Sequence, residues 1–261
     1  MTPEEVYANA SPWVANLMAI QGDTQLGTGS GFLVNGQLVT CAHNLAFPKG
    51  TVLAALFDKS PLEGNLAGMT YEDPHSKIRA FSAEHSYDYT VLEFLAAKDP
   101  SAGLSLSTRQ PVPGEPVCAL GYAFDDRQLT IHQGIISAVY QSGVATMLKL
   151  DMSINPSNSG GPLISLLDGS VIGIVVRKAT GLNQAFDQLQ ATLDENLAVL
   201  QALPGGQLIG GVDLRAFVIA TQQQMKTISK QMQRSAMVGI GYAIHVGQLS
   251  AELALQLGEE A

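Results

Sequence analysis

Ser159 lies in INPSNSGGPLIS, residues 154–165, where two glycines and a proline precede strand-forming residues. Such a bend is either a plain tight turn, since Gly takes positive φ and Pro fixes its own, or a device that presents a nucleophile. A serine hydroxyl reacts at neutral pH only with a histidine to take its proton and a carboxylate to fix the imidazole tautomer. The choice therefore depends on the rest of the chain. Of the five histidines, His43 closes GSGFLVNGQLVTCAHNL, a hairpin whose second strand delivers the ring at its C-terminal edge. His75 and His85 fall in the polar stretch YEDPHSKIRAFSAEHSYD, and His132 alternates within a strand, facing outward. Asp88 heads YDYTVLEF, where an acid before an apolar strand is either a turn residue or a partly buried orienter.

The elements that must carry these side chains are short. PWVANLMAI, GSGFLV, QLVTCA, TVLAALF, YTVLEFL, PVCALGY, QLTIHQGIISAVY, TMLKLDM, GPLIS and SVIGIVV follow one another with turn signals between them. Their Val, Ile, Leu and Phe content predicts a β-sandwich or barrels, not βαβ units. Asn35-Gly36, Pro113-Gly114 and Asp168-Gly169 mark hairpin turns. After Thr180, Leu182, Phe186, Leu189, Leu193, Leu197 and Leu200 recur at steps of three or four, which predicts an amphipathic helix. Pro204-Gly205-Gly206 ends it, and VDLRAFVIATQQQMKTISKQMQ predicts a second helix, with Phe217, Met225, Ile228 and Met232 among its apolar positions. MVGIGYAIHVGQL returns to strand and SAELALQL closes as a short helix.

The 261 residues are 46% hydrophobic and 14% charged, enough for a substantial core. A net charge of −9 argues against nucleic acid, whose phosphates would be repelled. MTPEEVYANASPWV lacks the basic and apolar regions of a secretory signal, and no run reaches a membrane span. Cys41 and Cys118 sit in apolar strand text and read as free buried thiols. These features predict a cytoplasmic protein. Neither a His-Glu-x-x-His pattern nor a cysteine pair at ligand spacing occurs, so no metal and no cofactor is expected.

The chain order His43, Asp88, Ser159 is the chymotrypsin-type order, unlike the subtilisin and α/β-hydrolase orders. GSGFLV…LVTCAHNL resembles the Gly-Ser-Gly-Phe strand and Thr-x-x-His turn of the HtrA/Deg branch of trypsin-like serine proteases. YDYTVLEF resembles that branch's Asp-x-Ala-Val-Leu segment, with Thr90 where Ala is usual. PVPGEPVCALGYAF…LTIHQGIISAVY, LDMSINPSNSGGPLIS, VIGI and GIGYAIH resemble the strands and nucleophile turn of the second barrel. The resemblance covers about residues 10–178 and 236–246. It implies an all-β core of two six-stranded antiparallel β-barrels, residues 10–100 and 101–180 plus 236–250, within one protease domain, 1–261. A helical insertion, 181–235, and a short C-terminal helix complete that fold.

The resemblance also implies a serine endopeptidase. Ser159 attacks a peptide carbonyl, His43 takes and returns the proton, and Asp88 holds the imidazolium. The oxyanion hole is formed by residues Ser157, Asn158 and Ser159, with the N–H groups of Ser157 and Ser159 as donors. Asn158 stands where digestive proteases carry an Asp that pairs with a newly cut N-terminus, so activation by that route is not expected. Ser157 stands where the family has Gly, and its Cβ restricts the turn. Either the turn stays competent, or a peptide flips and the enzyme is latent until a partner or substrate orders the hole.

The implied substrate pocket comprises Ile154, Val176, Arg177, Lys178, Gly239 and Gly241. Ile154 removes a preference for basic P1 side chains and favours small or medium apolar ones. Arg177 or Lys178, if turned inward, would accept acidic ones, and otherwise both are exposed edge charges. The helical insertion replaces a loop bordering that pocket. It implies a regulatory protein partner, self-association, or a simple stabilising pack. No PDZ domain is expected after the last strand. A non-catalytic peptide-binding module on a protease scaffold is the alternative, and Ser157 is its main support. An esterase elbow is absent, because GTGSGF leads into a strand.

Overall fold

Short runs of Val, Leu, Ile and Ala cannot bury both faces alone, and in the computed structural model they pair into two antiparallel sheets. The structure describes residues 1–58, 68–94, 102–124, 126–176, 181–202, 208–210, 212–236 and 239–259. It divides into two units, Met1–Arg177 with Gly239–Ala261, and Lys178–Val238.

The first unit opens with helix α1, Pro3–Ala10, started by a reciprocal capping box between Thr2 and Glu5 with Pro at the first turn. The first sheet then joins β1 (Val14–Gln21), β2 (Thr24–Val34), β3 (Gln37–Thr40), β4 (Val52–Phe57), β5 (Gly68–Tyr71), β6 (Ile78–Ser82) and β7 (Tyr89–Glu93). Their order is β5-β4-β1-β2-β3-β7-β6. This is a seven-stranded half-barrel, where the resemblance implied six closed strands. Its two end strands are short, β6 carries a register shift between Ile78 and Ala80, and the two do not pair with each other among the described residues.

The second sheet does close. β8 (Pro116–Tyr122), β9 (Leu129–Ser142), β10 (Ala145–Asp151), β11 (Pro162–Ser165), β12 (Val171–Val176) and β15 (Gly241–His245) form a six-stranded barrel. All six residues of β12 are buried. One apolar cluster fills this barrel, with Leu148, Leu163 and Val175, and another fills the first sheet, with Leu17, Leu53 and Leu92. A third lies between the sheets and joins Phe32, Val39 and Tyr89 to Leu120, Tyr122 and Ile174. Helix α4, Gly247–Glu259, adds Leu249 and Leu253 to this shared cluster. Fusing the two sheets through a common core fixes the loops at their junction, where the candidate site lies.

The second unit is a helical hairpin, α2 (Gly181–Ala202) and α3 (Leu214–Ala236), with β13 (Leu208–Ile209) and β14 (Val212–Asp213) between them. Asp213 caps α3 by accepting from the N–H groups of Arg215 and Ala216. No helix among the described residues is long and apolar enough to cross a membrane.

Candidate active site

His43 follows β3 in a single 3-10 turn, Ala42–Leu45, and Asp88 immediately precedes β7, the neighbour of β3. Strand pairing therefore brings the two together. His43 Nδ1 lies 2.8 Å from Asp88 Oδ2, and the His43 backbone N–H donates to Oδ1 at 3.1 Å. An ionised carboxylate only accepts, so Nδ1 carries the proton and Nε2 is left as the basic nitrogen. Asp88 is 4% exposed and left-handed at φ 43°, a conformation that Asp tolerates better than most residues. The imidazole is about a quarter exposed, at 26%, so its far edge meets solvent.

Ser159 reaches this pair through the backbone. Its carbonyl accepts from Ser30 N–H and from Asn44 Nδ2, both at 2.9 Å, and Asn44 directly follows His43. Gly160 has φ +88°, and a Cβ there would stand 2.1 Å from the Ser30 carbonyl, so the bend after Ser159 requires glycine. Ser30 connects the sheets. Besides donating to Ser159 O, it accepts at its own carbonyl from Thr40 Oγ1, donates from Oγ to Ser157 O at 2.8 Å, and accepts Tyr122 N–H at Oγ.

The turn itself is held at both carbonyls. Pro156 O accepts Phe124 N–H at 3.0 Å and Ser157 O accepts Ser30 Oγ. Ser157 is left-handed, φ +72°, and its Oγ lies 2.6 Å from Thr28 Oγ1. Asn158, between the two expected donors, gives its N–H to Asn155 O at 3.2 Å and closes the turn. Both polar atoms of the fully buried Asn158 amide lack a hydrogen-bond partner among the described residues.

Of the remaining sequence-named residues, Ile154 is buried against Gly241, where a Cβ would meet Ile154 Cγ1 at 2.4 Å. Val176 ends β12 opposite Tyr242, and Gly239 donates to Ser153 Oγ. Arg177 and Lys178 lie outside the described residues. A cavity of about 440 Å³ opens beside His43, lined by Leu17, Leu26, Phe47, Pro48 and Leu53 among others. Behind the pair, Cys41 Sγ, a His43 ring nitrogen and an Asp88 oxygen fall within 4.8 Å of one another. Burial, with the Asp88 charge second, pushes the Cys41 thiol well up. Both cysteines are free and buried.

Sequence reasoning missed Thr28, Ser30, Thr40 and Asn44. One signal was available: in GTGSG the hydroxyls alternate with glycine, as strand residues sharing one face do. A Cβ on Gly29 would meet the Asn44 amide at 2.5 Å, so the other face is kept bare for it.

The profile of the trypsin-like peptidase domain matches residues 29–174. The chain belongs to the trypsin-like peptidase family. Within that family, the chain is similar to proteases named DegP-like and HtrA-type. A probable periplasmic serine endoprotease, DegP-like, of Pseudomonas fluorescens is 33% identical over 154 residues, 56% of this chain and 28% of that protein. The putative serine protease HhoB of Synechocystis is 33% identical over 186 residues, 66% of this chain and 40% of that protein. The chain thus spans well under half the length of these relatives. Among solved structures, the HtrA-type protease AlgW with tripeptide aligns with TM-score 0.53 at 23% identity, covering 67% of this chain and 54% of that one. This trypsin-like fold accounts for the paired sheets and for the turn at their junction.

Proposed function

We propose that this chain is a serine endopeptidase acting through an acyl-enzyme, with Ser159 as nucleophile, His43 as base and then acid, and Asp88 as orienter. One observation carries the reading: Asp88 grips both the ring and the backbone of His43, leaving Nε2 as the basic nitrogen. Ser159 is tied by its carbonyl to the residue beside that histidine. The N–H groups of Ser157 and Ser159 serve as oxyanion donors. Peptide units are trans and planar, so each N–H opposes the carbonyl before it. With the carbonyls of Pro156 and Ser157 held by Phe124 and Ser30, a flip would break one of these bonds, which supports a hole formed at rest and argues against latency.

Substrates are proteins or peptides. Ile154 fills the space in front of Gly241, so the P1 side is shallow and suits small or medium apolar side chains, with Val176 and Gly239 at its edge. The contribution of Arg177 and Lys178 to P1 choice belongs to the same proposal. The hairpin of residues 181–235 is an attached unit for a regulatory protein or for self-association. Two free buried thiols suit a cytoplasmic location, while the relatives named periplasmic favour the other side of the membrane; cell fractionation decides between them.

A fluorophosphonate probe tests the central claim. Labelling that disappears in Ser159→Ala and in His43→Ala supports it. Absence of labelling in the parent chain, with its fold intact, replaces it with a non-catalytic peptide-binding module, the reading that Ser157 favours.

A further inference from the structure

The family fold requires a bend before Ser159, but it does not by itself explain how serine is held at position 157. Ser157 sits at φ +72°, where any residue with a Cβ is disfavoured relative to glycine. Phe124, which holds the preceding carbonyl, is itself left-handed at φ +55°. Two unfavourable conformations therefore face each other across one hydrogen bond, which must offset the strain at both. Further compensation comes from β2. Thr28 and Ser30 lie on one face of that strand, and both hydroxyls meet residue 157: Ser30 Oγ at its carbonyl and Thr28 Oγ1 at its Oγ. The Thr28 contact is 2.6 Å long, at the short end for paired hydroxyls, and spans 129 residues of sequence. Branching at Cβ limits the Thr28 side chain to few rotamers, so its hydroxyl is aimed before the turn arrives.

We propose that Thr28 is a positioning residue for the oxyanion turn: bonded to the Ser157 hydroxyl, it holds serine in the backbone conformation that glycine would adopt unaided. The inference rests on reading residues 157–159 as that turn. Thr28 touches no reacting atom. Without its hydroxyl, residue 157 relaxes toward negative φ, the Phe124 bond to Pro156 O is strained, and the 157 N–H moves away from the oxygen that gains charge. Ground-state binding needs no oxyanion donor, so the loss falls on the chemical step.

A double-mutant cycle tests this. Thr28→Val keeps the shape and removes the hydroxyl, Thr28→Ser keeps the hydroxyl, and each is made with Ser157 or with Ser157→Gly. With Ser157, Thr28→Val lowers the inactivation rate by a fluorophosphonate about tenfold, the worth of one good hydrogen bond, with its binding constant unchanged. Thr28→Ser restores the rate, and in the Ser157→Gly background Thr28→Val has no effect. Equal losses in both backgrounds, or none with Ser157, overturn the proposal. Hydrogen–deuterium exchange of residues 153–162 reads the same cycle without activity. Thr28→Val speeds exchange there only when residue 157 is serine, and equal exchange in both backgrounds overturns the proposal. Should the parent chain take no label, the endopeptidase reading fails while the exchange result still decides the role of Thr28.

Discussion

In the barrel unit, Ser30 commits its N–H, its carbonyl and its hydroxyl to Ser159, Thr40, Ser157 and Tyr122. In the helical hairpin, Ser229 is equally buried, at 3% exposed, and its hydroxyl has no hydrogen-bond partner among the described residues, like Gln222 Oε1. Apolar groups differ in arrangement. Most large ones of the barrel unit fill three clusters, with scattered exceptions such as Phe81 and Leu167, while Phe217, Met225, Ile228 and Met232 of the single helix α3 are between 48% and 62% exposed. The charges differ too: α3 holds Arg215, Lys226, Lys230 and Arg234 with no acid, and α2 holds Asp187, Asp194 and Glu195 with no base. The barrel unit gathers most of its apolar groups into a shared core, while α3 leaves an apolar stripe exposed; each unit keeps some buried polar atoms without a partner among the described residues, Asn158 in one and Ser229 in the other.

The largest expected effect separates the two directly. Ser159→Ala abolishes fluorophosphonate labelling, a loss of at least about 10⁴-fold in acylation rate. Phe217→Ser and Ile228→Ser, made together on the exposed stripe, leave the labelling rate within about twofold, because neither contributes to the turn. A large loss from the hairpin pair would break the comparison, since the barrel unit would then not be sufficient.

Ion pairs sharpen it at the next scale. Arg109 donates to both oxygens of Glu115, at 2.9 and 2.6 Å, and the Glu115 side chain is fully buried, with Ser165 Oγ donating to the same carboxylate. The Arg109 hydrogen bonds, aided by that of Ser165, hold the Glu115 carboxyl below its ordinary range despite burial. A carboxyl depressed in the fold contributes stability above its unfolded pKa, and this is lost as pH falls through the folded value. Arg109→Ala strands the carboxylate and costs about 3 kcal/mol at neutral pH, seen as a lower thermal midpoint and a weaker acid sensitivity. The hairpin pair, Lys226 with Asp194, leaves Asp194 more than half exposed, and Lys226→Ala costs under about 1 kcal/mol. Equal costs would contradict the contrast.

The strands of the barrel unit and the helices α2 and α3 were legible in periodicity, because each long element repeats its pattern several times. Helix α1 was missed although Thr2-Pro3-Glu4-Glu5 spells a capping box, since eight residues give too little apolar repeat. β5 and β6 were missed because GMTY and IRAFS are short and mostly half-exposed. GQL was read as the end of the last strand, yet α4 starts at Gly247, because Leu249 and Leu253 continue at helical spacing into the shared core. At the site, the residue types and order of His43, Asp88 and Ser159 stand in the text, whereas Thr28 and Ser30 gain meaning only where two sheets meet. Contacts between residues 129 positions apart leave no local period to read.

The most discriminating effect is a change of sign, because one chemical change is expected to act in opposite directions in the two units. Ser30→Ala removes a hydroxyl that both donates and accepts, leaving Ser157 O and Tyr122 N–H without it in a buried setting. Stranded partners cost about 2 kcal/mol, so the barrel unit loses stability and exchange of residues 153–162 quickens. Ser229→Ala removes a buried hydroxyl that satisfies nothing, so desolvation is relieved and α3 gains about 1 kcal/mol, read as slower exchange over 214–236. Alanine also has the higher helix propensity, by under about 1 kcal/mol, and an exposed control at Thr221 subtracts that part. If Ser229→Ala destabilises α3 beyond the control, the hydroxyl has a partner after all, and the contrast between Ser229 and Ser30 is lost.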